Sequence, residues 1–129
     1  MKKTVIVAIL LLILFYVFYD VIALSLEDFI LQHKDAFWAP AALYKLAGMS
    51  MFILKYDIAL SSYSKAVDTF PLYSLSDEAL YKIALIYERQ HRWKDAVSCY
   101  RKFIAKYPKH EWAPEADEKI EKIEGIYLQ

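Results

Sequence analysis

Residues 42–71, ALYKLAGMSMFILKYDIALSSYSKAVDTFP, are repeated 37 positions later at residues 79–108 as ALYKIALIYERQHRWKDAVSCYRKFIAKYP. Ten of the 30 aligned positions are identical, which identifies an internal repeat. A second similarity, at twice that distance, relates residues 27–45 to residues 101–119 and shares seven residues. The sequence therefore predicts two full repeat units, with half a unit before them and half a unit after them.

Each unit has the apolar spacing of two short helices. Leu80, Ile83, Ala84 and Tyr87 follow an i, i+3, i+4, i+7 pattern, which places them on one face of a helix. Each unit closes on a proline, and the residue before a proline avoids helical backbone angles. Because one hairpin cannot bury both of its faces, we expect the units to stack. The predicted helices cover about residues 40–54, 56–70, 77–90, 93–107 and 113–127, after a short helical stub at about 26–34.

The N-terminal residues are typical of a membrane-spanning segment. Residues 5–24 form an apolar run of 20 residues that only Asp20 interrupts, and a helix of ~20 residues crosses a bilayer core. By the positive-inside rule, Lys2 and Lys3 are expected in the cytoplasm and the rest of the chain outside it. A cleaved signal peptide, with Ala23 and Ser25 at the cleavage site, is the alternative. A lipoprotein signal needs a cysteine after the run, and none follows.

The composition argues against several functional classes. The chain has 129 residues with 16 basic and 16 acidic side chains, and zero net charge argues against nucleic-acid binding. A single cysteine, Cys99, excludes a disulfide framework and a cysteine-based zinc site. His33, His91 and His110 have no carboxylate or thiol at catalytic spacing, and no glycine-rich phosphate loop is present. We therefore predict that the protein is not an enzyme and uses no cofactor or metal.

The repeat pattern resembles the tetratricopeptide repeat. The second unit has large, small and aromatic residues at the family positions, which are Leu80, Ile83, Ala84, Tyr87, Trp93, Ala96, Tyr100 and Pro108. Ser50 in the first unit and Phe103 in the second depart from the family pattern. The 37-residue period, the Phe-x-x-x-Tyr-Pro ending and the WAPEA restart resemble a subgroup in bacterial envelope proteins. That subgroup includes outer-membrane assembly lipoproteins and periplasmic partners of the Tol–Pal system.

The resemblance implies an all-α fold, in which an N-terminal transmembrane helix precedes a short α-solenoid of antiparallel helix pairs. We expect an anchor at residues 1–24, a juxtamembrane half-repeat at 25–39 and a helical repeat domain with a C-terminal capping helix at 40–129. In this family the first helices of the units line a concave groove, and aromatic side chains there suit an extended or helical peptide. The matching groove positions are Tyr44, Gly48, Met51, Phe52, Tyr81, Leu85, Glu88, Arg89, Glu118 and Lys122.

The helix predicted at 40–54 is apolar nearly all round, whereas the matching helix of the second unit ends in charged and polar residues. Two interpretations stay open: the stub at 26–34 covers this surface, or it contacts a partner, a second copy or the membrane. The basic residues 89–94 lie at the turn of the second hairpin. They are either a solvated tip or a contact for phosphate or lipid headgroups.

From these features we predict a non-enzymatic adaptor. It is expected at the bacterial inner membrane with its repeat domain in the periplasm, where it binds a segment of an envelope protein and no nucleic acid. If the N-terminal segment is cleaved, the chain is secreted instead. Two alternatives differ in class: a permanent structural subunit of a larger membrane complex or oligomer, and an organelle receptor with an N-terminal anchor and a cytosolic repeat domain.

Overall fold

The computed structural model describes residues 1–129 and contains helices and no strand. The all-α prediction is therefore confirmed, and the second to sixth helices agree with the expected bounds to within two residues. The predicted anchor and stub form one continuous first helix. In chain order the helices are α1 (Lys2–Gln32), α2 (Ala39–Phe52), α3 (Tyr56–Thr69), α4 (Ser76–Arg89), α5 (Trp93–Lys106) and α6 (Ala113–Tyr127).

Proline and acidic residues set the helix ends. Pro40 and Pro114 lie in the first turns of α2 and α6, where a helix needs no backbone donor. Helices α3 and α5 end just before Pro71 and Pro108, since the residue before proline leaves the helical region. The first turn of α4 carries Asp77 and Glu78, which favour the positive end of the helix dipole.

Small residues let the helices of each hairpin approach closely. Ala47 and Ala59 are 0% exposed in the hairpin of α2 and α3, and so are Ala84 and Ala96 in the hairpin of α4 and α5. A side chain that ends at Cβ lets two backbones approach more closely than larger residues allow, and each hairpin therefore buries a continuous core. The hairpins then stack through α3 on α4 and α5 on α6, as the repeat logic requires.

The second half of α1 packs on the first hairpin. Its buried residues, Tyr19, Ala23, Glu27 and Ile30, lie on one face of the helix. The Tyr19 hydroxyl is 2.9 Å from the Ser50 hydroxyl, so the packing begins several residues before the predicted stub. This half of α1 takes the place of a second helix from a preceding unit. It leaves the turn after α2 uncovered, since Phe52 remains 85% exposed.

The first half of α1 is exposed along its length. None of the residues before Tyr19 is buried. By length and composition, α1 is the one helix that could cross a membrane. The molecule therefore consists of an apolar helix that projects from a stack of five shorter ones.

Candidate partner-binding groove

A cavity of about 350 Å³ opens on the face that α4 and α6 share. In a stack of hairpins, these first helices of successive units line the concave side. Three of the predicted groove residues, Glu88, Glu118 and Lys122, lie together in its wall. The complete lining is Glu88, Trp93, Glu115, Glu118, Lys119, Lys122, Ile123 and Tyr127.

An aromatic stack forms one wall of the cavity. The Trp93 and Tyr127 rings lie parallel, with their centroids 4.0 Å apart and an interplanar angle of 6°. Trp93 begins α5 and Tyr127 ends α6, so the stack joins the ends of two antiparallel helices. Ile123 lies one turn before Tyr127 and is buried. A rigid aromatic surface of this kind can anchor an apolar side chain at low entropic cost.

A hydrogen-bonded network forms the opposite wall. The Tyr100 hydroxyl donates to Glu88 Oε2 at 2.6 Å. Lys119 Nζ donates to both oxygens of the same carboxylate, at 3.3 and 3.2 Å. The Tyr81 hydroxyl donates to Glu115 Oε1 at 2.7 Å. The network therefore fixes two carboxylates and one ammonium group at defined positions.

Burial raises the pKa of both phenols in this network. Tyr100 is 0% exposed, and its pKa is raised by loss of solvent and then by the hydrogen bond to Glu88. The pKa of Tyr81 is raised by the same causes, with Glu115 as the acceptor. Since both phenols stay protonated, they act as permanent donors that hold the carboxylates in place. The site is thus suited to binding, with charges fixed before a partner arrives.

Two charged side chains of the cavity have neither an ion pair nor a hydrogen bond within the chain. Glu118 and Lys122 both point from α6 into the cavity and are exposed. Neither takes part in a salt bridge, whereas Lys119 is paired with Glu88 at 3.2 Å. They are therefore available to a partner that carries a matching charge or hydrogen-bonding group.

Three other predicted groove residues lie in or against the core. Tyr44 is 3% exposed and donates to the Phe70 carbonyl oxygen at 3.3 Å, and burial raises its pKa to about 12. Tyr81 is 6% exposed. A side chain at Gly48 would contact the Tyr63 hydroxyl at 3.4 Å. Fewer side chains are therefore open to a partner than the ten groove residues that the sequence predicted.

The remaining predicted residues lie outside the cavity. Met51 and Leu85 are half-buried near the ends of α2 and α4. Phe52 and Arg89 are the last residues of the same helices, and both are exposed. These four side chains lie on first helices, outside the cavity and toward the turns that follow α2 and α4.

Sequence reasoning missed five residues of the cavity, which are Trp93, Glu115, Lys119, Ile123 and Tyr127. Glu115 lies about one turn before Glu118, and Lys119 directly follows it. The helical spacing of α6 could therefore have identified both residues. Trp93 occupies a family aromatic position, and it packs against the core while also facing the cavity. Nothing in the sequence indicated that Tyr127 lines the cavity, because its position there depends on how closely the ends of α5 and α6 approach.

Other chemistry-bearing residues have structural surroundings. His110 Nδ1 accepts a hydrogen bond from the Trp112 amide at 3.1 Å, and its Nε2 lies 3.5 Å from Asp77. These two contacts fix the loop between α5 and α6 beside the first turn of α4. Cys99 is half-buried, and burial raises the pKa of its thiol, which disfavours the reactive thiolate. The structure contains no group of three or more potential metal ligands.

Residues 78–110 match the tetratricopeptide repeat family model. This range covers most of α4, all of α5 and the loop after it, which together form the second predicted unit. The match agrees with the stacked helical hairpins, and the fold is that of a short α-solenoid with one long apolar N-terminal helix. No curated protein matches the chain. A tetratricopeptide repeat is thus present, and repeats of this kind generally bind protein partners.

Proposed function

We propose that this chain is a membrane-anchored, non-enzymatic adaptor that binds a peptide or helix of a partner protein in the cavity between α4 and α6. The observation that carries the proposal is the pairing of an aromatic stack with fixed charges in one concave site. The Trp93 and Tyr127 rings offer an apolar anchor point, and the network around Glu88 offers oriented polar groups. Peptide recognition by helical repeats needs both features.

The free charges define the chemistry of the partner. Glu118 would accept from a basic side chain or a backbone amide, and Lys122 would donate to a carboxylate or a backbone carbonyl. The occupant that fits is an amphipathic segment with one large apolar side chain for the aromatic stack. Its polar side faces α6.

The anchor is the second part of the proposal. Helix α1 has the length and apolar composition of a membrane span, with Lys2 and Lys3 before its apolar part. Holding the repeat domain at a bilayer raises its local concentration near membrane partners, so modest affinity suffices. The resemblance to bacterial envelope repeats favours the inner membrane, with the repeat domain in the periplasm.

A second candidate, a permanent subunit of a larger membrane complex, is favoured by the apolar side chains that the first hairpin leaves open. Met49 is 52% exposed, and Leu54 in the next turn is 61% exposed. Size-exclusion chromatography of the chain in mild detergent, extracted from its native membrane, separates the two candidates. A stable monomer supports the adaptor, and a fixed larger complex supports the subunit.

Site-specific photocrosslinking tests the groove. A benzoylphenylalanine is placed at Glu118, inside the cavity, and in a separate chain at Glu121, on another face of the same helix. Both positions are exposed glutamates of α6, so the two variants are matched in stability and in distance from the membrane. The expected result is a discrete crosslinked partner from position 118 that is absent from position 121. Equal crosslinking from both positions would show that the cavity is not the binding site.

A C-terminal reporter tests the anchor and its orientation. Alkaline phosphatase fused after Gln129 is active only outside the cytoplasm, whereas a fluorescent protein folds in the cytoplasm. We expect an active phosphatase in the membrane fraction. Activity only in the soluble fraction would indicate cleavage at Ala23 to Ser25, and an inactive phosphatase would reverse the proposed orientation.

A further inference from the structure

The turn between α2 and α3 differs chemically from its counterpart between α4 and α5. Both turns have the same backbone, because Leu54 has φ 65° and His91, 37 positions later, has φ 58°. The first turn ends α2 with Phe52 and continues through Leu54, while the matching positions of the second turn are Arg89 and His91. An identical turn is thus apolar in one unit and basic in the other.

A leucine in this backbone conformation is unusual. A positive φ is sterically strained for an L-residue with a bulky side chain, and glycine or asparagine is the common residue there. Leu54 is 61% exposed, so packing inside the protein does not compensate for that strain. Exposure alone decides nothing, since Phe37 and Leu72 at the opposite end of the hairpins are both 97% exposed. The position of the turn beside α1 is what distinguishes it.

Three contacts fix the height of the turn along α1. Lys55 Nζ lies 2.9 Å from Asp20 Oδ1. The same ammonium group lies 4.0 Å from the centre of the Tyr16 ring. Ser50, in the last turn of α2, is 2.9 Å from the Tyr19 hydroxyl. The turn therefore lies beside residues 16–20 of α1.

The length of α1 brings this height into the membrane. The apolar residues between Lys3 and Tyr16 span only about 18 Å at ~1.5 Å per residue, whereas a bilayer core is ~30 Å thick. If α1 crosses the bilayer with its lysines on one side, the core must extend past Tyr16 toward Leu24. Whatever lies beside residues 16–20 then lies within the membrane, near the edge of its core.

We infer that the α2–α3 turn, through Phe52 and Leu54, inserts into the interfacial layer of the lipid bilayer beside α1. This inference rests on the proposed anchor. The repeat domain is then held by two membrane contacts, a spanning helix and an apolar turn, which together fix its orientation relative to the bilayer. The adjoining turn carries Arg89 at the same end of the stack, since Gln90 donates to Asp57 at 2.8 Å.

The charges at this height fit a lipid neighbour. An unpaired aspartate within an apolar run is costly near hydrocarbon. Asp20 is half-exposed, and its charge is neutralised by the ion pair with Lys55. Tyr16 lies at the same height with 48% of its surface exposed, and tyrosine is enriched at membrane interfaces. A protein partner would need no such series of interfacial residues.

Depth-dependent fluorescence quenching tests the inference on the full chain. Cys99 is changed to alanine, and single cysteines are introduced as Leu11→Cys, Phe52→Cys and Leu72→Cys. Each is labelled with an environment-sensitive nitrobenzoxadiazole dye and reconstituted into phosphatidylcholine and phosphatidylglycerol vesicles with or without doxyl-labelled lipid. Leu11 reports on the anchor, Phe52 on the turn, and Leu72 is the control because it is an exposed apolar residue at the opposite end.

The expected result is loss of fluorescence with doxyl lipid at positions 11 and 52 and no loss at position 72. Quenching at 11 without quenching at 52 would overturn the inference and leave the anchor standing. A dye at 52 that is shielded from water but not quenched by lipid would show a protein neighbour, such as a second copy, and would also overturn it. No quenching at 11 would overturn the anchor itself. A second label at Leu54→Cys repeats the measurement if Phe52→Cys disturbs the fold.

Discussion

The first hairpin, α2 with α3, and the second, α4 with α5, share one backbone but have different neighbours. The first packs against α1, which covers one side and leaves the turn after Phe52 open. The second lies between the first hairpin and α6, and its concave side forms the cavity with α6. The comparison shows how two units with the same backbone come to present different surfaces, because the residues at matching positions differ.

The clearest difference between the hairpins lies beside Tyr63 and Tyr100, two buried tyrosines at matching positions. In the second hairpin the Tyr100 hydroxyl donates to Glu88 at 2.6 Å, and Lys119 completes the network. The position of Glu88 is Met51 in the first hairpin, so no carboxylate stands there to accept from Tyr63. The buried tyrosine of the second hairpin thus belongs to a polar network, whereas its counterpart Tyr63 has no carboxylate acceptor at the matching position.

The opposite difference occurs on the side that faces α1. Glu27 of α1 is 1% exposed and accepts hydrogen bonds from Ser62 and Lys65 of α3. The matching residues of α5 are Cys99 and Lys102, and Lys102 forms no salt bridge. A buried carboxylate therefore ties α1 to the first hairpin only. Each hairpin has one polar network, on the side where it contacts a helix outside the pair.

The largest expected effect comes from the core of the second hairpin. Phe103 is 0% exposed and contacts the Tyr81 ring at 5.5 Å between centroids, whereas the first hairpin has Ala66 at that position. Phe103→Ala is expected to lower the free energy of unfolding by about 3–5 kcal/mol, because it leaves a cavity. Guanidinium unfolding of the full chain in mild detergent, followed by circular dichroism, measures the loss.

Phe29 provides the control for this prediction. It is the residue of α1 that matches Phe103, but it is 50% exposed because α1 lacks a first helix to pair with. Phe29→Ala is expected to cost less than about 1 kcal/mol. A similarly small loss for Phe103→Ala would mean that the side chains around Phe103 can repack and fill the space that it leaves.

The second prediction concerns the tie between α1 and α3. Lys65→Met leaves the Glu27 carboxylate buried with Ser62 as its remaining partner, and we expect a loss of about 2–3 kcal/mol. The matched change Lys102→Met removes an unpaired lysine and is expected to change stability by less than about 0.5 kcal/mol. Both are measured by the same unfolding assay. Equal effects would show that the Glu27 network does not hold the two helices together.

The comparison also shows what the sequence could predict. The repeat spacing and the prolines were sufficient to locate α2 to α6, because helix ends depend on local backbone preferences. Glu118, Lys122 and Glu88 follow from helical spacing on the first helices, and they line one cavity; their role in binding a partner stays a prediction. These are features that neighbouring residues along the chain determine.

The features that sequence reasoning missed depend on packing between helices. Neighbouring positions of a helix differ by ~100°, so spacing alone did not distinguish a tyrosine that is open to the groove from one that is buried in the core. Tyr44 and Tyr81 belong to the second kind. The burial of Glu27 could not be predicted from spacing either, because its partners lie 35 and 38 residues away in α3. The Trp93 and Tyr127 stack likewise depends on where two helix ends meet.

The third prediction uses alkaline pH to compare the buried phenols. Burial raises the pKa of Tyr44 and Tyr63 to about 12, and the pKa values of Tyr81 and Tyr100 are raised by burial and by hydrogen bonds to carboxylates. A raised pKa stabilises the fold fully below the unfolded value of 10.0, and this stabilisation is lost as the pH rises toward the folded value.

We therefore expect unfolding free energy to fall above pH 10 by up to about 1 kcal/mol per pH unit for each buried phenol. Unfolding at pH 8, 10 and 11, with absorbance of tyrosinate near 295 nm, measures both quantities. Tyr100→Phe should flatten this dependence while the fold persists. A stability that is constant up to pH 12 would mean that these phenols ionise equally well in the folded and unfolded states.

The smallest effect is expected at the turns that the two hairpins share. Leu54→Gly removes a strained side chain at φ 65°, and the relief exceeds the entropy that glycine adds to the unfolded chain. In detergent we expect a gain of about 0.5 kcal/mol, and a smaller one for His91→Gly, because histidine tolerates positive φ better. A loss for Leu54→Gly in the same unfolding assay would show that the leucine packs against protein. A gain would mean that its side chain is kept at that position for a contact outside the chain, which is what insertion into the membrane interface requires.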